Sequence, residues 1–139
     1  CALPIFWDKM RIGMGYHYRA RHEFILFFEK GKRRLSNLGV PDVLQAVRVR
    51  GGYPTEKPVD LIKTLVAQSG RPGELIIDPF MGSGSTGVAA IELGCQFWGN
   101  DLSRASVDHV AARLGGVGAP EMCSTFNEVR DGQLELLPR

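Results

Sequence analysis

Apolar positions fall into two regimes along the chain. Residues 2–8 form a short apolar run (Leu3, Ile5, Phe6, Trp7) that stops at Asp8-Lys9. Residues 23–28 form a second, rich in Ile, Leu and Phe, that stops at Glu29-Lys30-Gly31. Short apolar runs bounded by turn residues predict buried strands. They flank a loop at 11–21 in which Gly13 and Gly15 sit beside Tyr16 and Tyr18. Residues 32–52 hold no sustained period and are expected to form a connector or a short recognition segment. After Pro54 and Pro58 the spacing turns helical, with Val59, Ile62, Leu65 and Val66 in step until Gly70-Arg71-Pro72-Gly73 ends the helix. Strands are predicted at 75–78 and 95–99, and helices at 88–93, closed by Gly94, and at 103–114. The tail, 115–139, opens with Gly, Ala and Pro, with one strand expected near 134–137.

From Pro58 onward the order helix, strand, helix, strand, helix is that of a parallel α/β sheet. Ligands of such sheets sit at the carboxyl ends of the strands. The 139 residues, 44% hydrophobic and 23% charged, suffice for one domain and exclude a disordered chain. No apolar run nears the roughly 18–20 residues of a membrane span, and no leader pattern opens the chain, so a cytoplasmic protein without membrane contact is expected. Cys1, Cys95 and Cys123 lie far apart, with no C-x-x-C pair and no histidine at zinc spacing, so we expect a reduced compartment and no metal site.

Charge changes the picture more than composition does. The net charge is +2, yet residues 1–57 carry eleven Lys and Arg against five Asp and Glu, a surplus of +6, while residues 58–139 carry six against ten, a deficit of −4. The first half suits a polyanion. Position 1 is Cys rather than Met, and a piece of something longer, or a trimmed start, is expected.

The chemistry centres on Gly82-Ser83-Gly84-Ser85-Thr86-Gly87, which matches G-x-G-x-x-G between a strand and a helix, with Asp101 lying 19 positions after Gly82. That is the dinucleotide fingerprint, so a nicotinamide-dependent enzyme is one reading. A phosphate loop is excluded because no Lys follows the glycines. Asp78 opposes a dinucleotide, since a carboxylate about 4 Å from a pyrophosphate in a partly buried cleft is repelled by roughly a few kcal/mol. A cation would be welcome there. S-adenosylmethionine carries a sulfonium and an ammonium, so Asp78 could accept from the ammonium and Asp101 from both ribose hydroxyls. Either acid alone could equally be a turn former or helix N-cap; both at matching strand ends favour a ligand.

Tyr53-Pro54-Thr55-Glu56-Lys57-Pro58, followed 20 positions after Pro58 by Asp78-Pro79-Phe80-Met81-Gly82-Ser83-Gly84-Ser85-Thr86, resembles the DNA amino-methyltransferases of bacteria and phages. The order of the two motifs is similar to the circularly permuted, β-like class, which moves a methyl group from S-adenosylmethionine to N6 of adenine or N4 of cytosine. Trp7-Asp8-Lys9 and Arg19-x-Arg21-His22-Glu23-Phe24-Ile25-Leu26-Phe27-Phe28-x-Lys30-Gly31 resemble the antiparallel strand pair of the same enzymes. The resemblance implies an α/β, Rossmann-like S-adenosylmethionine methyltransferase sheet with helices on both faces, permuted and incomplete in this chain. Residues 1–139 would be one partial domain: a strand pair with a DNA-side loop (1–31), the connector (32–52), cofactor-binding units (53–114) and a tail (115–139). It implies that Asp78, Phe80, Gly82 and Ser83 surround the methionine part of the cofactor and Asp101 its ribose, with Pro79, Gly84 and Thr86 also binding the cofactor. Thr55, Lys57 and Pro58 would close over it. Arg19, Arg21 and His22 would lie on the side of double-stranded DNA. Lys30, Lys32, Arg33 and Arg34 read by themselves as a solvated turn, and the +6 charge of their half tips them toward DNA phosphates.

The family's catalytic tetrapeptide, a polar residue followed by Pro-Pro and an aromatic, holds the target amine and stacks on the flipped base. All eight prolines here are isolated, so no catalytic residue is assigned in this chain. The missing N-terminal part, or a second chain supplying it, is the expected partner, because two strands of the family's sheet would come from there. A remnant that binds S-adenosylmethionine or DNA without catalysis is the alternative.

Overall fold

Trp7 is where the first half of the chain is pinned. The computed structural model describes residues 2–116. In it β1 (Ala2–Asp8) pairs antiparallel with β2 (His22–Phe28), from Ala2 opposite Phe28 to Asp8 opposite His22. A third strand, β3 (Val43–Gln45), runs parallel to β1 in the order β2-β1-β3. Trp7 is 1% exposed and packs with Leu44 and with Leu61 of α1 (Val59–Ser69), and its indole N–H donates to the Ala46 carbonyl at 2.9 Å. The expected featureless connector therefore contains a strand. Three residues are too few to show a period of two, and only the parallel pairing with β1 and the burial of Leu44 define it.

The second half follows the expected order more closely. β4 (Leu75–Asp78) and β5 (Gln96–Gly99) form a two-stranded parallel sheet joined through α2 (Ser85–Glu92), with α3 (Arg104–Gly115) after β5. Helix α2 begins three residues before the predicted Val88, directly out of the glycine turn. Ser103 caps α3, its hydroxyl accepting from the Ser106 N–H at 3.3 Å. The strand expected near 134–137 lies outside the described residues.

Helix α1 joins the two sheets. Its Leu61 and Leu65 face Trp7, and its Ile62 and Val66 face Ile76, Ala90 and Cys95. Helix α3 packs through Val107, Val110 and Leu114 on Val88, Met81 and Phe97. The described residues leave apolar positions bare on one face of each sheet. Phe24, Leu26 and Phe28 on one bare face, and Leu75, Ile77 and Trp98 on the other, are each more than half exposed. Parallel sheets normally bury both faces. Among the described residues no ladder joins β4-β5 to the three-stranded sheet. No described helix is long and apolar enough to cross a membrane.

Candidate cofactor-binding site

The carboxyl end of β4 meets the segment before α1, and a cleft of about 180 Å³ lies between them. Its walls are Thr55, Lys57 and Ile62 on one side and Asp78, Phe80, Met81, Gly82, Ser83, Ser85 and Thr86 on the other. Seven of the residues expected from sequence are thus brought together. Ile62, Met81 and Ser85 were missed, because each looked like an ordinary helix or turn position. Pro58, Pro79, Gly84 and Asp101 are outside the lining; Pro58 starts α1, and Gly84 and Asp101 shape the turn.

Gly82 and Gly84 hold left-handed φ values of +48° and +76°, where side chains are strained. At Gly84 a Cβ would also sit 2.8 Å from both Val110 methyls, so α3 is seated against a bare backbone. No side chain caps α2, whose first N–H groups open beside the lining residues Ser85 and Thr86.

Asp78 uses one oxygen, Oδ1, to accept from the Phe80 N–H at 3.1 Å, and its other oxygen has no partner among the described residues. Asp101 is committed on both sides. Its Oδ2 accepts from the Gly82 N–H and its Oδ1 from the Ser103 N–H, each at 2.9 Å. These two backbone donors, Ser103 first, hold its carboxyl below the ordinary value of 3.8. Asp101 therefore serves the turn in this structure, with lone pairs left over for a further donor. A depressed carboxyl contributes in full above its ordinary range and loses that contribution as pH falls through the depressed value. The Asp101→Asn variant is accordingly expected to flatten part of the fall in melting temperature below about pH 4. An unchanged acid limb would overturn the role.

The opposite wall is tethered at three points. The Lys57 ammonium donates to Glu23 Oε2 at 3.1 Å and lies 5.4 Å from the Trp7 ring centre, while its carbonyl accepts from the Ser85 hydroxyl at 2.8 Å. Burial pushes the Glu23 carboxyl up, but Lys57 and Lys9 outweigh it and hold it below its ordinary value. Tyr53 bonds Ser106 through the two hydroxyls at 2.6 Å. Arg113 of α3 donates to the Ser83 carbonyl and pairs with Glu56, both at 2.8 Å, so one guanidinium ties the glycine turn to the facing segment. The pair is partly buried, at 24% and 12% side-chain exposure. A double-mutant cycle of Glu56→Gln and Arg113→Gln in the complete gene product is expected to show about 1 kcal/mol of coupling in urea unfolding; additive losses would contradict the tether.

The expected DNA-side residues separate into two groups. His22 starts β2 beside Asp8, and its ring meets Phe6 and Phe24 at 5.5 and 5.1 Å. Arg21 grips Asp8 with two bonds of 2.6 and 2.8 Å, and Arg19 donates to the Gly13 carbonyl at 2.8 Å. This end of the sheet adjoins Lys57 and the cleft through Glu23. Lys30, Lys32, Arg33 and Arg34 follow the other end of β2, a seven-residue strand or roughly 20 Å away. Arg33 is paired there with Glu74, at 2.7 Å, and Arg34 lines a shallow depression with Arg71.

A βαβ unit with a glycine turn and acids at both strand ends defines a Rossmann-like cofactor-binding architecture. The DNA methylase family model for N6 and N4 methyltransferases matches residues 36–112, more than half of the chain, and the chain belongs to that family. YubD of Escherichia coli (strain K12), named as a putative methylase, is 39% identical over 84 residues, 59% of this chain and 37% of YubD. The type II methyltransferase M.EcaI of Enterobacter cloacae is 41% identical over 85 residues, 61% of this chain and 19% of M.EcaI. The chain thus spans well under half the length of these curated relatives. Among solved structures, the M1.HpyAVI complex with S-adenosylmethionine superposes with a TM-score of 0.65 at 26% identity, covering 80% of this chain and 60% of that one. TTHA0409 of Thermus thermophilus, complexed with S-adenosyl-L-methionine, gives 0.61 at 22% identity over 84% of this chain and 54% of that one, a likeness of fold alone.

Proposed function

We propose that this chain is the cofactor-binding part of a DNA methyltransferase, cytoplasmic and encoded by a bacterium or phage, that takes its methyl group from S-adenosylmethionine. The target would be an exocyclic amine, N6 of adenine or N4 of cytosine. The observation that carries the reading is the cleft between Thr55–Lys57 and the Asp78–Thr86 turn, with an unpartnered carboxylate oxygen at its strand end.

The residues fit the group. S-adenosylmethionine supplies an electrophilic methyl on a sulfonium. Asp78 offers an acceptor to its ammonium, the uncapped first turn of α2 offers N–H groups to its carboxylate, and Ile62, Phe80 and Met81 offer apolar contact. A drug-sized ligand fills roughly 300–1,000 Å³, so the 180 Å³ cleft suits the methionine end, with the nucleoside continuing toward Asp101. That M1.HpyAVI was crystallised with S-adenosylmethionine supports the assignment.

Arg19, Arg21 and His22 are proposed to face double-stranded DNA at the cleft end of the sheet. The far-end group of Lys30, Lys32, Arg33 and Arg34 is a second, weaker candidate for phosphate contact. With no Pro-Pro in these 139 residues, the groups that hold the target amine are proposed to come from a segment outside them, which would also cover the bare sheet faces. The test is transfer of tritiated methyl from S-adenosylmethionine to plasmid DNA by the complete gene product containing this chain. Label recovered as N6-methyladenine or N4-methylcytosine is the expected result. Cofactor binding without transfer would favour a non-catalytic accessory module, to which the missing Pro-Pro motif also points.

A further inference from the structure

We infer that the tip of the β1–β2 loop inserts its two tyrosines, Tyr16 and Tyr18, against the bases of duplex DNA at an opened step. This rests on the DNA-directed reading above and deepens it by naming the contact. The stem of the loop is firmly built. The Lys9 N–H donates to the Arg21 carbonyl and the Gly13 N–H to the Ala20 carbonyl, both at 2.9 Å, extending the hairpin past its last ladder pair. Arg21 clamps Asp8, whose Oδ1 also accepts the Met10 N–H at 2.9 Å, and Arg19 closes on the Gly13 carbonyl. The Arg21 guanidinium, ahead of the Met10 N–H, holds the Asp8 carboxyl below its ordinary value, so the clamp stays charged at neutral pH.

Beyond that stem the side chains are bare. Met14 and Tyr18 are wholly exposed, Tyr16 is 95% exposed with its ring edge-on to His17 at 5.1 Å, and Ile12 on the stem itself is more than half exposed. A rigid stem that holds large apolar side chains in water gains nothing for its own fold. Arg11, His17 and Arg19 are interleaved with them, within the half of the chain whose charge is +6. Aromatic rings interleaved with cations are what an opened duplex accepts: the rings stack on base faces while the cations meet phosphates. An enzyme that works on an exocyclic amine must bring its base out of the stack, and a planar side chain can fill the gap that is left. The register places this tip at the cleft end of β1, beside Asp8, where such a base would be presented.

The experiment compares the complete gene product with its Tyr16→Ala/Tyr18→Ala variant on two fluorescein-labelled 30-base-pair duplexes, one fully paired and one with a central abasic gap. Anisotropy is expected to show tighter binding of the gapped duplex by the parent and loss of that preference, about tenfold, in the variant. S-adenosylmethionine affinity stays unchanged, since neither ring touches the cleft, and Tyr16→Phe/Tyr18→Phe keeps the preference. Nitration by tetranitromethane is expected at both tyrosines without DNA and to be blocked with it. A variant that retains the preference, or tyrosines already protected before DNA is added because another protein surface covers them, would overturn the inference while leaving the methyltransferase reading intact. A parent that binds neither duplex while still binding S-adenosylmethionine would overturn both.

Discussion

In the complete gene product, Gly84→Val is expected to melt far below the parent and no longer to bind S-adenosylmethionine. Two penalties coincide at this position. The backbone stands at φ +76°, which costs an L residue about 1–2 kcal/mol and a β-branched one more. The added Cβ meets two Val110 methyls at 2.8 Å in a core where Val110 is 1% exposed, and overpacking of that kind costs about 1–3 kcal/mol. The sum, about 2–5 kcal/mol, is a large part of a small domain's stability. If α3 yields instead, the turn moves with it, because Arg113 on α3 holds the Ser83 carbonyl. Gly73→Val is the control: φ is +85° there, but nothing lies within 4 Å of the new Cβ. Melting curves by circular dichroism separate the two, and equal losses at both positions would mean that packing on Val110 contributes little.

Asp78→Ala is expected to weaken S-adenosylmethionine binding at least tenfold with little change in melting temperature. A hydrogen bond to a charged group contributes about 1.5–3 kcal/mol, and each 1.4 kcal/mol is a factor of ten in affinity. The structural share of Asp78 is small, a single bond to the Phe80 N–H at an exposed turn. Asp101 behaves oppositely. Both its oxygens brace backbone, so Asp101→Ala is expected to lower affinity and stability together. Calorimetry paired with melting distinguishes them, and a matched loss of stability in Asp78→Ala would reassign that residue to the frame.

Much of the cofactor side is legible in the order of residues alone. The strand at 75–78, the glycine turn and Asp101 follow one another closely along the chain, and local chemistry defines them: an apolar run, glycines where φ is positive, acids where strands end. What stays hidden depends on distance along the chain. Val43 pairs with Phe6, 37 positions earlier, and three residues carry no period of their own. Arg113 reaches Glu56 across 57 positions, and neither residue breaks the pattern of its own segment. The start of α2 escapes the apolar pattern because Ser85, Thr86 and Gly87 are weak helix formers, held helical by packing such as the contact of Gly87 with Phe97. Charge count alone does not order the basic residues in space. The strand expected over 23–28 already separates Arg21 from Lys30, and the antiparallel register adds which end lies beside Asp8.

The bare faces bear on the chain's partners. Ile77 and Trp98 lie on a parallel pair, which normally buries both faces, and Phe24, Leu26 and Phe28 form a contiguous apolar row along the antiparallel β2. The 139 residues in isolation are therefore expected to associate or to melt without a sharp transition. A monomeric mass with a cooperative melt would remove the need for a covering segment.

The central claim is that the cleft at the carboxyl end of β4 holds S-adenosylmethionine. Calorimetric titration of the complete gene product with S-adenosylmethionine, with NADH as the comparison ligand, tests it most directly. One-to-one binding of S-adenosylmethionine that Asp78→Ala weakens at least tenfold, with no heat from NADH, is the predicted result; saturable binding of NADH in its place would contradict the account.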